Sequence, residues 1–355
     1  MVKRIFPWID SLRLLFKSPP SFKYLPRALA YNLLVLIQQP FHWIELLIWS
    51  HSINTHKLPQ APIFILGYWR SGTTYLQRLL CLNAQLGYLH QYEALLPLGA
   101  RVHGPVLRPL AGYIVQKLNI KHPTHGVPLS MDFPSEEDVA LCAGAYPHSP
   151  MQAHIYSKKA LKILDAELFA KADSNASKRF KKMYSYLVKR LSYFNKGRQL
   201  VLKSPSNTTK IRELLELYPD AKFIYIERNP KEVYFSKMKL LRNNKVQWLQ
   251  AMSEAQMQQV FIETYPRVLQ NYQENKKEIP TENLIELSFE DLCANPLLKL
   301  EAIYNQFNIA GWDAVQTKLE PFLDKNHEKK RYYYEQELPV EIQKLFEKIS
   351  ATQSF

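Results

Sequence analysis

Cysteine is scarce in this chain. Its 355 residues include three, Cys81, Cys142 and Cys293, odd in number, widely spaced and outside any C-x-x-C pair. Such spacing offers no disulfide framework and fits reduced thiols in a cytosolic setting. Cys81 falls within a helical pattern, where it reads as a small core residue rather than a nucleophile. Uninterrupted apolar runs are lacking too. Pro7, Asp10 and Arg13 break "MVKRIFPWIDSLRLLF" before it can serve as a secretory signal. The segment "ALAYNLLVLIQQPFHWIELLIW" (28–49) nears the length of a membrane span, yet Asn32, Gln38, Gln39, Pro40, His42 and Glu45 divide it into two short pieces. No internal repeat, low-complexity tract, zinc-finger spacing or basic-region heptad is found, which leaves nucleic-acid binding without support.

Acidic side chains are also in short supply: 32 Asp and Glu face 46 Lys and Arg, a formal net charge of +14 that suits an anionic partner such as a nucleotide or a membrane surface. Lys3, Arg4, Arg13, Lys17, Lys23 and Arg27 precede the apolar segment with only Asp10 opposing them. That pattern fits helices lying on an anionic membrane surface, and equally helices packed on a catalytic core. The expected location is the cytoplasm, with peripheral contact at the inner membrane face left open.

What is present points to an α/β fold. Four apolar runs read as strands: "PIFIL", "QLVLK" (199–203), "KFIYIE" (222–227) and "NLIELSF" (283–289). Helical patterns such as "TTKIRELLELYP" and "KEVYFSKMKLLRNN" lie between them, so a central parallel sheet with right-handed crossovers in a three-layer arrangement is expected. Ligands of such sheets sit beyond the carboxyl ends of the strands. Two helices are predicted within 161–197, their lysines a solvated face, and loops on the acceptor side within 84–150. The expected division is a helical N-terminal extension over 1–58, an α/β core over 59–312 and a helical tail over 313–355 that closes the site.

The chemistry is concentrated in "PIFILGYWRSGTTYLQRLLCLN". Gly67-x-x-x-x-Gly72-Thr73-Thr74 has the spacing of a phosphate loop, with Thr73 where a nucleotide hydrolase carries lysine. Backbone N–H groups at the start of the following helix still favour an anion. No later strand ends in the aspartate that would hold magnesium; "LVLKSP" ends in Lys203, and "FIYIERNP" reaches Arg228 beyond Glu227. Positive charge has moved to Arg70 and to the ends of other strands, which suits an anhydride cleaved without a metal.

"GYWRSGTTYL" resembles the 5′-phosphosulfate loop of sulfotransferases, enzymes that use 3′-phosphoadenosine 5′-phosphosulfate. "LVLKSPSNTTKIRELLELYPDAKFIYIERNPKEVYFS" is similar to the second block of that family, and "FEDLCANPLLKLEAIYNQFNI" to the segment that closes its core, so the resemblance covers 62–309. It implies a P-loop NTPase-like fold, this nucleotide as sulfuryl donor and no metal. Gly67, Arg70, Ser71, Gly72, Thr73 and Thr74 would hold the phosphosulfate, and Lys203 would meet charge on the departing oxygen. Arg228 and Ser236 would bind the 3′-phosphate.

Tyr75 stands where relatives stack a tryptophan on adenine, and fits a core role equally. Lys330 and Arg331 match a basic loop near the 3′-phosphate, or form a solvated charge run. Glu93 stands near the position of a catalytic glutamate and is the expected base, against a structural ion pair. Its rival is Glu136 in "PSEEDVAL", where Ser135 is otherwise expected to cap a helix whose dipole the acids favour. His122 and His125 replace the Arg and Asp of a preceding family motif; Pro123 and the lack of a third ligand argue against metal binding there. Asn207 occupies the neighbourhood of the histidine base of many sulfotransferases. The acceptor is expected to be a hydrophobic or glycosylated small molecule with a hydroxyl or amine. Competing readings are a magnesium-dependent hydrolase or kinase with an unusual loop, and a non-catalytic membrane-associated adaptor.

Overall fold

The apolar runs assemble into a five-stranded parallel sheet in the order β2-β3-β1-β4-β5, with β1 at Ile63–Leu66, β2 at Leu86–Gly87, β3 at Gln199–Leu202, β4 at Lys222–Glu227 and β5 at Leu284–Ser288. Register is fixed by pairs such as Phe64 with Leu202 and with Phe223. The computed structural model describes residues 6–121, 128–144, 149–171, 173–243, 249–326 and 336–352. All four β1 residues are fully buried, as expected of a central strand covered on both faces. β5 is an edge strand and only half-buried, and two-residue β2 was not among the expected runs.

Helices cover both faces. Along the chain come α1 (Pro7–Lys17), α2 (Leu25–Thr55), α3 (Thr73–Leu80), α4 (Gln91–Leu95), α5 (Ala100–Lys117), α6 (Glu137–Ala143), α7 (Gln152–Ile155) and α8 (Ala160–Leu168). They are followed by α9 (Asn175–Phe194), α10 (Ile211–Leu217), α11 (Pro230–Asn243), α12 (Glu254–Asn275), α13 (Phe289–Ala294), α14 (Pro296–Phe307), α15 (Trp312–Asn326) and α16 (Val340–Thr352). One core layer holds Phe64, Leu202 and Phe223 with Tyr184 and Val188 of α9. Another holds Ile63, Ile65 and Ile224 with Leu76 of α3 and Leu300 of α14.

Two expectations are corrected. The apolar segment at 28–49 is one piece: α2 runs 31 residues without a break, Pro40 included. Four of its breakers, Asn32, Gln38, Gln39 and Glu45, turn toward the protein and are bonded there, while Pro40 stays exposed. Asn32 accepts from Ser11 Oγ at 2.8 Å, Gln38 Oε1 accepts from Leu98 N at 3.3 Å, and Gln39 Oε1 accepts from Trp8 N at 3.4 Å. Glu45 accepts from Arg190 Nε at 2.5 Å, so burial, which would raise its pKa, is outweighed by the guanidinium and the carboxyl stays below the usual range. Second, the stretch 84–150 is not only loops. It contains the 18-residue α5, whose Pro105 and Pro109 had masked the helical period.

The three cysteines are free thiols. Burial pushes the Cys142 thiol up to about 12 and Cys81 higher still, which makes both poor nucleophiles.

Candidate active site

The loop after β1 turns sharply because three of its residues have positive φ: Gly67 at 145°, Arg70 at 80° and Gly72 at 100°. Gly67 is fixed by close backbone packing. Its N–H donates to Thr208 Oγ1 at 2.9 Å, and a Cβ there would stand 2.5 Å from the Ile226 carbonyl oxygen. At Gly72 a Cβ would meet Phe289 Cδ2 at 2.2 Å. Arg70, with a side chain in the left-handed region, carries strain of roughly 1 kcal/mol or more. Strain of this kind persists where the surroundings hold the residue in place. Arg70 Nε is tied to Ser236 Oγ at 2.8 Å.

α3 begins at Thr73 with no side-chain cap, so its first N–H groups point beyond the end of β1. Ser71 and Thr73 are buried, and the Ser71 N–H closes the turn onto the Tyr68 carbonyl at 3.1 Å. Thr74 Oγ1 accepts from Lys203 Nζ at 3.2 Å. Lys203, 1% exposed at the end of β3, also forms an ion pair with Glu136. Thr74, Lys203 and Glu136 therefore form one constellation drawn from three separate segments.

The acidic run around Glu136 divides its duties. Glu136, and not Ser135, occupies the cap position of α6, and neither side chain caps it; the Ser135 N–H is instead bonded to the Leu89 carbonyl at 2.9 Å. Glu137 Oε1 accepts from the Lys203 N–H at 3.0 Å, and Asp138 Oδ2 accepts from Ser206 Oγ at 2.5 Å. Burial lifts both carboxyls to about 7 despite those donors. These two acids lock α6 to the turn after β3. Asn207 joins the same network, donating to Tyr184 Oη at 2.8 Å.

Beyond β4, Arg228 lies over the Phe289 ring at 4.6 Å, reaches the Arg70 carbonyl at 3.4 Å and pairs with Glu232 at 3.3 Å. Its buried Nε has no partner among the described residues. Ser236 follows on α11, so Arg70, Arg228 and Ser236 converge. Tyr75 packs edge-on to Phe289 at 6.1 Å among core side chains, with its hydroxyl pushed up to about 12 by burial. Lys330, Arg331, His122 and His125 lie outside the described residues.

Sequence reasoning missed Lys237. The residue is buried, with its Nζ 4.6 Å from the Trp69 ring and 3.4 Å from His154 Nε2. Burial, reinforced by Arg70 and eased by Glu136, lowers it to about 7. Burial also holds His154 neutral, at about 3. Adjacency to Ser236 was the only signal in the sequence. Phe289 was missed as well, because its segment read as structural.

Glu93 stands in another setting. Its Oε1 is 2.9 Å from Arg101 Nε, and its buried Oε2 has no hydrogen-bond partner among the described residues. It lines a cavity of about 1170 Å³ with Trp49, Arg101, Gly104, Arg108 and Phe194. The segment 131–136 links this cavity to the loop. Phe133 lines the cavity beneath the Arg78 guanidinium of α3, 4.3 Å from the ring, and Glu136 follows three residues on.

A model described as "Sulfotransferase family" matches residues 62–314, most of the chain and all of the strands that carry these groups. This chain belongs to the sulfotransferase family. It is an enzyme that moves a sulfuryl group. Curated relatives of the sulfotransferase include the omega-hydroxy-beta-dihydromenaquinone-9 sulfotransferase Stf3 of Mycobacterium bovis and of Mycobacterium tuberculosis, each 26% identical over 307 residues, which is 83% of this chain and 75% of theirs. Solved structures of similar fold include STF9 from Mycobacterium avium, with TM-score 0.74, 15% identity and coverage of 98% of this chain and 92% of that one. STF1 from Mycobacterium tuberculosis H37Rv superposes with TM-score 0.70 and 17% identity, covering 98% and 93%. Among the described residues of the sulfotransferase, no group of three or more His, Cys, Asp or Glu side chains is placed to hold a metal ion.

Proposed function

We propose that the sulfotransferase takes its sulfuryl group from 3′-phosphoadenosine 5′-phosphosulfate and delivers it to the hydroxyl of a hydrophobic acceptor. The observation that carries this is the convergence of Arg70, Arg228 and Ser236 beside the uncapped start of α3, with the buried Arg228 Nε unpartnered. A buried guanidinium N–H without an acceptor fits an anion better than a finished ion pair. The donor supplies an activated sulfate on a phosphate leaving group.

In this reading Arg70 and the N–H groups of Gly72, Thr73 and Thr74 hold the 5′-phosphosulfate, with Ser71 closing the turn and the Thr73 and Thr74 hydroxyls in support, while Arg228 and Ser236 hold the 3′-phosphate. Glu136 accepts the acceptor's hydroxyl proton as its oxygen bonds to sulfur. Lys203 takes the charge that the broken S–O bond leaves on the 5′-phosphate oxygen. Glu136 is preferred to Glu93 as base because it already touches Lys203, which itself touches the loop. Glu93 and Arg101 serve in the cavity, whose two ion pairs and aromatic walls suit an apolar body with a polar head. The Stf3 relatives are named for a hydroxylated menaquinone, which supports a lipophilic alcohol here.

The divisions 1–58, 59–312 and 313–355 are proposed as extension, catalytic core and closing tail. Free thiols and exposed apolar helices favour work in the cytoplasm at the inner membrane face. Thermal-shift and transfer assays test the reading. 3′,5′-Bisphosphoadenosine is expected to raise the Tm, and labelled sulfate to pass from the donor to a pooled lipid-alcohol set. No Tm shift, together with an Arg228→Ala variant that behaves like the wild type, refutes it.

A further inference from the structure

α2 is amphipathic the wrong way round for a helix bathed in water. The side facing the protein carries Asn32, Gln38, Gln39 and Glu45, all buried and bonded to α1 or to Leu98 and Arg190. The other side presents Leu29, Leu33, Ile37, Leu47 and Ile48, from 54% to 86% exposed, at helical spacing along one stripe. α5 repeats the feature, with Val106 72%, Leu110 51% and Tyr113 60% exposed. The two helices adjoin: a Cβ on Gly99, just before α5, would stand 2.4 Å from the Phe41 carbonyl carbon of α2. Together the bare side chains amount to roughly 800 Å² of apolar surface, above the few hundred that water-facing monomers tolerate.

Charge selects the medium. Arg13, Lys17, Lys23 and Arg27 are exposed at the head of this surface, and Lys117 and Lys121 at the end of α5. Acids are absent from 100–121, and between residues 6 and 55 the acids are Asp10 and Glu45, the latter buried against Arg190. A basic rim around an apolar face matches anionic headgroups over acyl chains. α2 is long and apolar enough to cross a bilayer, but its polar side is fastened along its length, to α1 through Asn32 and Gln39 and to Leu98 and Arg190 through Gln38 and Glu45. It must lie flat.

We propose that the adjoining apolar faces of α2 and α5 dock the enzyme on an anionic lipid bilayer, with both helices in the plane of the headgroup–acyl boundary. α5 then separates lipid from the cavity, since its Gly104, Arg108 and Gly112 side lines that cavity. A lipophilic acceptor would meet the cavity wall at its own depth; this consequence rests on the acceptor reading above.

The test uses the full chain and two variants, Leu33→Glu/Ile37→Glu and Val106→Glu/Leu110→Glu, sedimented with phosphatidylcholine vesicles with and without phosphatidylglycerol. Wild type is expected to sediment preferentially with the anionic vesicles and less at high salt, and each variant to lose about tenfold or more of that partitioning. Wild type that stays in solution, or variants that sediment like it, overturn the proposal. So does a wild-type dimer, by light scattering, that the variants convert to monomers without any vesicle binding, because a second copy would then cover the face. The 3′,5′-bisphosphoadenosine Tm shift, read in parallel, should persist in both variants and shows that they are folded. Its absence from wild type would sink the donor reading while leaving docking standing.

Discussion

Donor binding should draw a proton into the protein at Lys237. This lysine is 2% exposed, faces the Trp69 ring and neutral His154, and is held at about 7 chiefly by burial and then by Arg70. At about pH 8 it is therefore roughly nine-tenths neutral in the free enzyme. A phosphosulfate or phosphate charge arriving within about 5 Å of Nζ, at an effective dielectric near 20, adds about 3 kcal/mol of attraction for the protonated form. That is worth ~2 pKa units, enough to make the lysine mostly charged. Calorimetric titration of 3′,5′-bisphosphoadenosine at about pH 8, in buffers of differing ionisation enthalpy, should show an uptake of roughly 0.8 proton. Lys237→Met should bring the uptake near zero. The same lysine sets a stability trend. Its folded pKa lies below the unfolded value, so the unfolded chain binds more protons above about 7, and the lysine's contribution to stability improves as pH rises from there toward about 10. A wild-type uptake near zero, or one that survives in Lys237→Met, refutes the reasoning.

Glu136→Gln should lower kcat by roughly 10² to 10⁴ with bisphosphoadenosine affinity little changed, whereas Glu93→Gln should act mainly on acceptor KM; the reverse split would return the base to Glu93. Gly72→Ala forces a Cβ into Phe289 at positive φ and should lose about 1–3 kcal/mol in chemical denaturation, a loss that Phe289→Ala relieves only in part because the φ strain remains. Glu45→Gln leaves Arg190 buried without its ion partner and should destabilise by ~3–5 kcal/mol; recovery in a Glu45→Met/Arg190→Met double variant would confirm that the loss lies in the orphaned charge. Glu137 and Asp138 have folded pKa values raised to about 7, so their contribution is present below about pH 4 and is lost as pH rises through about 7. Urea unfolding of Glu137→Gln across that window should show a flatter pH dependence than wild type.

Local patterns fixed a good deal. Each strand of the parallel sheet except two-residue β2 was legible as an apolar run bounded by turn residues, since a strand buried on both faces has no polar side to interrupt it. The loop was legible because its spacing is itself the physical requirement: glycines where the chain turns and a helix start immediately after. Arg70, Lys203 and Arg228 could be picked out because a strand or turn ends at each, and the ends of parallel strands face the ligand.

Partnership between distant segments was decided only in three dimensions. Glu136 and Glu93 are equivalent as letters; what separates them is that α6 carries one to Lys203, 67 residues away, while Arg101 holds the other in the cavity wall. Lys237 gains its low pKa from burial beside an arginine far off in sequence. The same holds for α2. A run of Asn, Gln and Glu in an apolar segment reads as an interruption until α1 supplies Ser11 and Trp8, and the rest of the fold Leu98 and Arg190, as partners, after which the helix is unbroken and its apolar side is the one left bare. The sequence carries chemistry and periodicity, because those are local; which charge meets which, and which face meets water, depend on contacts that only the folded chain makes.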